Sequence, residues 1–317
     1  MILQPQPTER DPRAVIRPTL DDLIRLGKPA RLIRLARPTA RALQSGQYLA
    51  HFKGRGMEFD EARPYSHGDD IRSLDWRVTA RTGKVHTKLF REERERPIFL
   101  SVDLRAAMFF ATRGMYKSAL AARLAALIAW SSLHHGDRLG GQIITGTHRH
   151  AFMPTEGHAS VLRVLKHLAD ECEQGPTSET RAELFDQSLV ELQRHVRPGS
   201  LVFVLSDFRG LKETGCAALG RTARHSTVVL LAISDLIERD LPAGIHRYGR
   251  PGQERMLQGD EKTRLAHLAN FESRIGRIKT LSQTYHMKMV QAWTHEAPVL
   301  ILNRAFNLSR NRASGPK

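Results

Sequence analysis

An α/β fold built on a doubly wound, mostly parallel sheet is what this sequence predicts, and three observations carry the prediction. Short apolar runs of strand length recur at 98–102, 139–144, 201–205 and 228–233. Stretches with helical periodicity separate them, at 116–133, 160–168 and 182–192, and strands alternating with helices imply βαβ units and parallel pairing. Three of the runs lead into an aspartate, Asp103, Asp207 or Asp235, at the carboxyl end where such sheets bind their ligands.

Each element has its own warrant. The run 98–102 closes on Asp103, and the Ala- and Leu-rich helix 116–133 follows it. Residues 139–144 form a second strand, and the alternation over 147–152 makes that segment its hairpin partner. Segments 160–168 and 182–192 are helices with one apolar face. Runs 201–205 and 228–233 are apolar on both sides, the mark of buried parallel strands. Beyond them, 244–257 reads as irregular or hairpin. Residues 261–281 read as a helix with Leu265, Leu268, Phe271 and Ile275 on one face, and 299–306 as a short final helix. The expected organisation is a basic lead and helix over 1–50, an Arg/Asp-rich segment over 51–96 packed on the main domain, and a core over 97–243. A C-terminal extension over 244–308 and a disordered tail over 309–317 complete it.

Composition bounds the function. At 317 residues, with 41% hydrophobic and 26% charged, the chain can bury a sizeable core and is not disordered as a whole. Two cysteines, Cys172 and Cys216, exclude a disulfide scaffold and point to a reducing compartment. The start lacks the apolar region of a signal peptide, and the longest apolar stretch, 119–130, is interrupted by Arg123, so neither leader nor membrane insertion is expected. The net charge of +16 is uneven: +5 over 1–50, +2 over 51–100, +1 over 101–243 and +8 over 244–317. A neutral middle with basic flanks and 6% aromatics makes a poor stacking platform, so an acidic protein surface is a better partner than nucleic acid.

Motif spacing excludes several enzymes. The stretch around Gly114, Lys117 and Ser118 lacks the first glycine of a phosphate loop; His295-Glu296 lacks the second histidine of a zinc helix; no Gly-x-Ser-x-Gly elbow occurs. His134 and His135 fit a helix C-terminus, and His148 and His150 share one face of a strand but lack a nearby third ligand in sequence. The densest constellation is Gly54, Arg55, Gly56, Met57, Glu58 and Phe59, followed by Arg63, Tyr65, Gly68, Asp69, Asp70, Arg72, Asp75, Trp76 and Arg81. Its arginines nearly match its acids, so the expected arrangement pairs the carboxylates with Arg63, Arg72 or Arg81, with Trp76 as a buried anchor. The rival arrangement makes Asp69, Asp70 and Asp75 a metal-carboxylate set.

This segment, with Lys88-Leu89-Phe90, Glu93-Arg94, Asp103, Lys117, Gly136-Asp137-Arg138, Leu205-Ser206-Asp207-Phe208 and Leu241-Pro242, closely resembles domain-of-unknown-function family fifty-eight. The resemblance covers about residues 45–285. It implies a cytoplasmic bacterial protein with a von Willebrand factor A-like domain, often paired with a MoxR-type AAA+ ATPase and without established enzymatic activity. Such domains commonly hold a divalent cation through Asp-x-Ser-x-Ser, a threonine and a later aspartate. Here the first element reads Asp103-Leu104-Arg105-Ala106-Ala107, Asp207 fits the last position, and Thr180 is a candidate threonine that also fits a helix capping box with Glu183. Both serines are missing, and Arg105 brings a fixed positive charge to the crevice. The expectation is a degenerate cation site and no cofactor. The expected function is a noncatalytic adaptor presenting Asp103, Arg105 and Asp207 to a protein partner. The alternative is a metal-dependent hydrolase or nuclease using Asp69, Asp70, Asp75, Asp103 and Asp207.

Overall fold

The computed structural model describes residues 16–35, 57–66, 74–92, 96–177, 181, 183–248 and 254–306. The chain divides into two compact units, one of residues 1–37 and 96–317, the other of residues 38–95.

The larger unit holds the sheet. Its strands are β3 (Pro97–Asp103), β4 (Arg138–Ile144), β5 (Arg149–Thr155), β6 (Leu201–Ser206), β7 (Thr227–Ser234) and β10 (Lys288–Trp293). They lie in the order β10-β7-β6-β3-β4-β5, parallel except for β5, which runs antiparallel along the edge. This is the doubly wound arrangement the sequence predicts: the order reverses at β3, so the crevice opens between the carboxyl ends of β3 and β6.

Period-two alternation divides the strand side chains between two cores. Ile98, Leu100, Val102, Phe203, Leu205 and Leu231 face one side, packed by α4 (Lys117–His134), α5 (His158–Gln174) and α10 (Pro298–Phe306). Phe99, Val202, Val204 and Leu230 face the other, packed by α6 (Leu184–His195), α7 (Glu213–Ala223) and the later half of α9 (Glu261–Thr284). Helix α4 is buried on nearly every face, which explains a sequence with little amphipathic contrast.

Both flanks join this unit. Helices α1 (Leu20–Arg25) and α2 (Gly27–Ala30) bury Leu23 and Ala30 in the first core, and Trp130 donates its indole N–H to the Leu23 carbonyl at 3.0 Å. Pro29 lies within α2. At the other end β10 pairs with β7, so a core ending at residue 243 is too short, because the sheet takes its outermost strand from residues 288–293. The expected extension also contains a hairpin of β8 (Gly244–Tyr248) and β9 (Arg255–Gly259), followed by α9, with short α8 (Leu236–Arg239) preceding it. Along α9 the buried face is Phe271, Ile278 and Leu281; Leu265 is exposed, because the first turns of the helix face solvent. The tail over 309–317 lies outside the described residues.

The smaller unit pairs β1 (Met57–Pro64) with β2 (His86–Glu92), with α3 (Trp76–Thr82) between them, so the Arg/Asp-rich segment contains an antiparallel ladder.

Candidate functional site

Three loops at the carboxyl ends of β3, β6 and β7 bring the site together. Asp103 is the last residue of β3 and is buried; its carboxylate is fully occupied. Oδ1 accepts from the Arg105 backbone N–H at 3.0 Å and from Arg105 Nε at 2.9 Å, and Oδ2 accepts from Arg105 Nη2 at 2.8 Å and Ser206 Oγ at 2.6 Å. Such a two-pronged pair fixes orientation as well as charge. The guanidinium also donates to the Arg209 carbonyl at 3.0 Å and stacks 4.2 Å over the Phe185 ring. Burial works against its charge, but Asp103 more than compensates, so Arg105 holds its proton more tightly than an ordinary arginine.

Asp207, just beyond β6, finds a different cation. Lys117 Nζ donates to Asp207 Oδ2 at 2.7 Å and to Glu238 Oε1 at 2.5 Å, and the lysine side chain is 1% exposed. Lys117 opens α4, where the helix dipole opposes a cation, so the two carboxylates hold it there against an unfavourable field. Glu238 also binds Arg274 at 2.6 Å, while Arg209 reaches both Asp207 at 3.4 Å and Glu238 at 3.3 Å from a half-exposed position. Burial pushes the Asp207 carboxyl up. The adjacent ammonium, its hydrogen bond and the Arg209 amide outweigh that and leave Asp207 below the ordinary carboxylate range.

The turn carrying Asp207 and Arg209 is itself constrained. Phe208 adopts φ 56°, uncommon for a bulky residue, with its ring buried against Phe185 and its N–H held by Ser206 Oγ at 2.8 Å. Asp235, beyond β7, makes a third closed centre. It accepts from the hydroxyl and N–H of Thr112, from Thr294 Oγ1 at 2.6 Å and from the Ile237 N–H at 3.2 Å. Burial pushes this carboxyl up, but the threonine hydroxyls and the amides hold it low. The loop carrying Thr112 comes this close because Gly114 has φ 77° and a Cβ there would strike the Thr294 carbonyl.

The residues do not fit the divalent cation that the resemblance implies. A hard cation wants several oxygens with free lone pairs. Arg105 and Ala107 stand where hydroxyls are needed, Arg105 covers Asp103, and the Lys117 ammonium already sits against Asp207 and Glu238. Thr180 lies outside the described residues.

The structure thus brings Asp103, Arg105 and Asp207 to one strand-end crevice and adds Lys117, Glu238, Arg209 and Arg274 to them. In the smaller unit, Asp75 is a helix N-cap: its Oδ1 accepts from the Arg77 and Val78 N–H groups, both at 3.1 Å. Trp76 is 68% exposed, contrary to the buried anchor expected, because it occupies the first turn of α3 with its ring toward solvent. Arg63 donates to the Pro64 carbonyl at 3.2 Å, and Tyr65 and Arg81 lie in the same unit. Glu58 lies on β1, where its backbone pairs with Arg91; Gly54, Arg55, Gly56, Gly68, Asp69, Asp70 and Arg72 lie outside the described residues.

Residues 61–272 match the profile of the family described as Protein of unknown function DUF58. The chain belongs to DUF58. One similar relative, an uncharacterized protein of Mycobacterium tuberculosis, is 32% identical over 196 residues, covering 62% of this chain. The chain spans 60% of the length of that relative. Among solved structures, a von Willebrand factor type A protein from Catenulispora acidiphila is similar at TM-score 0.39 and 10% identity, covering 71% of this chain and 44% of its own. An aerotolerance-related membrane protein from Bacteroides fragilis is similar at TM-score 0.35 and 13% identity, over 60% of this chain and 98% of its own. Among the described residues of this DUF58 chain, no helix is long and apolar enough to cross a membrane.

Proposed function

We propose that this DUF58 protein is a noncatalytic, cytoplasmic adaptor whose strand-end crevice docks a protein partner, an AAA+ ATPase of MoxR type. One observation carries the reading: Asp103, Asp207 and Glu238 at the crevice are each neutralised from within, and Asp235 beside them is saturated by hydroxyl and amide donors. A hydrolase or nuclease needs a free base or a metal-ready carboxylate set there, and these carboxylates supply neither. The partner's class rests on the family resemblance.

Arg209 is the group a partner would use. It is half exposed at the mouth and shares Asp207 and Glu238 with cations that already balance them. A carboxylate presented by a partner can therefore draw Arg209 outward without leaving a buried acid unpaired. The basic flanks would speed the encounter with an acidic surface.

The test mixes the full-length chain with the purified MoxR-type ATPase of its host, with and without nucleotide, and measures affinity. Arg209→Ala should weaken binding about tenfold or more, corresponding to about 1.4 kcal/mol, with the fold retained because Lys117 and Arg274 still balance Asp207 and Glu238. Absence of a complex in every nucleotide state, or magnesium-dependent hydrolysis lost in Asp207→Asn, would overturn the reading.

A further inference from the structure

We infer that the antiparallel edge of the sheet carries a zinc site, built from His148, His150 and Glu171, that no part of the crevice uses. His148 immediately precedes β5 and His150 is its second residue, and this two-residue spacing puts both imidazoles on one side of the chain where it enters the edge strand. The third donor comes from across the sequence: Glu171, in the last turn of α5, packs against that face. Its Oε1 lies 3.2 Å from Nε2 of His148 and 3.2 Å from Nε2 of His150. One atom from each of the three residues lies within 4.8 Å of the others. Zinc bound tetrahedrally at about 2.0–2.1 Å requires its ligand atoms about 3.3 Å apart, so the two measured separations are already those of a coordination sphere.

The surroundings of the two rings argue for a metal over a chance meeting of surface histidines. Thr145 Oγ1 donates to the His148 carbonyl at 3.0 Å, accepts from the His148 N–H at 3.1 Å, and lies 3.0 Å from His148 Nδ1. Thr147 Oγ1 lies 3.0 Å from the same nitrogen. Two hydroxyls thus hold the Nδ1 side of the His148 ring and turn Nε2 toward Glu171, the outer arrangement that orients metal-binding histidines. A cation between the three groups would join both Nε2 atoms to the Glu171 carboxylate, whose side chain is only 10% exposed and so draws its partners from the protein or a bound ion. His150 also packs against the His167 ring, with centroids 5.1 Å apart, and His167 precedes Glu171 by one helical turn. Neutral imidazole and carboxylate donors suit zinc and disfavour magnesium and calcium. Three protein ligands leave a fourth position, and His148 and His150, 44% and 39% exposed, leave it facing solvent. The ion would join the edge strand to α5 and hold one exchangeable ligand.

The full-length chain, freed of metal by chelator and dialysis, is titrated with Zn²⁺ alone and then with Co²⁺. The expected result is one equivalent of Zn²⁺ bound at micromolar concentration or tighter, and a Co²⁺ complex with the intense visible bands of four-coordinate geometry. Excess Mg²⁺ should not compete. His148→Gln and His150→Gln alter half-exposed groups and leave the fold intact; each should weaken Zn²⁺ binding at least thirtyfold and abolish the Co²⁺ bands, as should Glu171→Gln. With 15 histidines in the chain, weak binding elsewhere is a competing outcome, and it is recognised by affinity unchanged in all three variants. That result, or binding weaker than about 0.1 mM in the unmodified chain, overturns the site.

Discussion

Replacing Lys117 by methionine keeps the length and apolar stem of the side chain and deletes only the ammonium. The change leaves Asp207 Oδ2 and Glu238 Oε1, both buried, facing each other across the place where Nζ bridged them at 2.7 and 2.5 Å. Removing one partner of a buried pair costs about 3–5 kcal/mol. The lower end applies here, because Glu238 keeps Arg274 at 2.6 Å and Asp207 keeps the Arg209 amide at 3.0 Å. A loss of about 3 kcal/mol is therefore expected, read as a fall in the urea midpoint of the larger unit without a change in slope. Adding Asp207→Asn to Lys117→Met should recover part of it, since the surviving charge is then removed too. The pH dependence has a definite sign. Asp207 is held below its unfolded value, so its contribution is fully present above about pH 4, the unfolded carboxyl range, and is lost as the pH falls through the lower folded value. In Lys117→Met that acid-side slope should flatten. A loss below about 1 kcal/mol, or an unchanged acid limb, would refute the claim that the ammonium is what neutralises Asp207.

Titration with Mg²⁺ or Mn²⁺ should leave the melting temperature unmoved at millimolar concentrations, since bound ligand stabilises in proportion to occupancy and the crevice carboxylates are taken; a saturable rise abolished by Asp207→Ala would contradict this. Trp76→Ala should cost less than about 1 kcal/mol in chemical denaturation, against the 3–5 kcal/mol of a buried aromatic, because the ring is 68% exposed. Burial pushes the Cys172 thiol up to about 12, so at pH 8 it should resist alkylation in the native protein and react at the rate of a free thiol in denaturant, as followed by mass spectrometry.

The centre of the sheet was legible because β3, β6 and β7 are apolar on both faces and lead into aspartates. Strand β10 was not, since Lys288-Met289-Val290-Gln291-Ala292-Trp293 mixes polar and apolar residues in the manner of an edge, and only pairing with β7 makes it a strand. Helix α7 was missed for a similar reason: Gly215 and Gly220 weaken its propensity, and each is needed where Asp186 or Tyr285 leaves no space for a Cβ. At the crevice, Asp103, Arg105 and Asp207 were found by their positions after strands. Lys117 carried one signal for its place in the crevice, a charged residue opening a helix otherwise rich in alanine and leucine. Glu238 and Arg274 carried none, because their meeting depends on how α9 crosses the end of the sheet. The same holds for Glu171, whose distance in sequence from His148 and His150 hid the third donor.

The strand order also bears on how the chain is made. During synthesis β7 is complete long before its outer neighbour exists, because residues 235–287 separate Ser234 from Lys288. At about 5–20 residues per second, those roughly fifty residues leave an apolar parallel edge unpaired for several seconds, long enough for hairpins and helices to form but not for the sheet to close. Exposed edges of that kind recruit other strands. A ribosome stalled just before β10 should display a nascent chain that binds chaperones, and one stalled well beyond α10 should not.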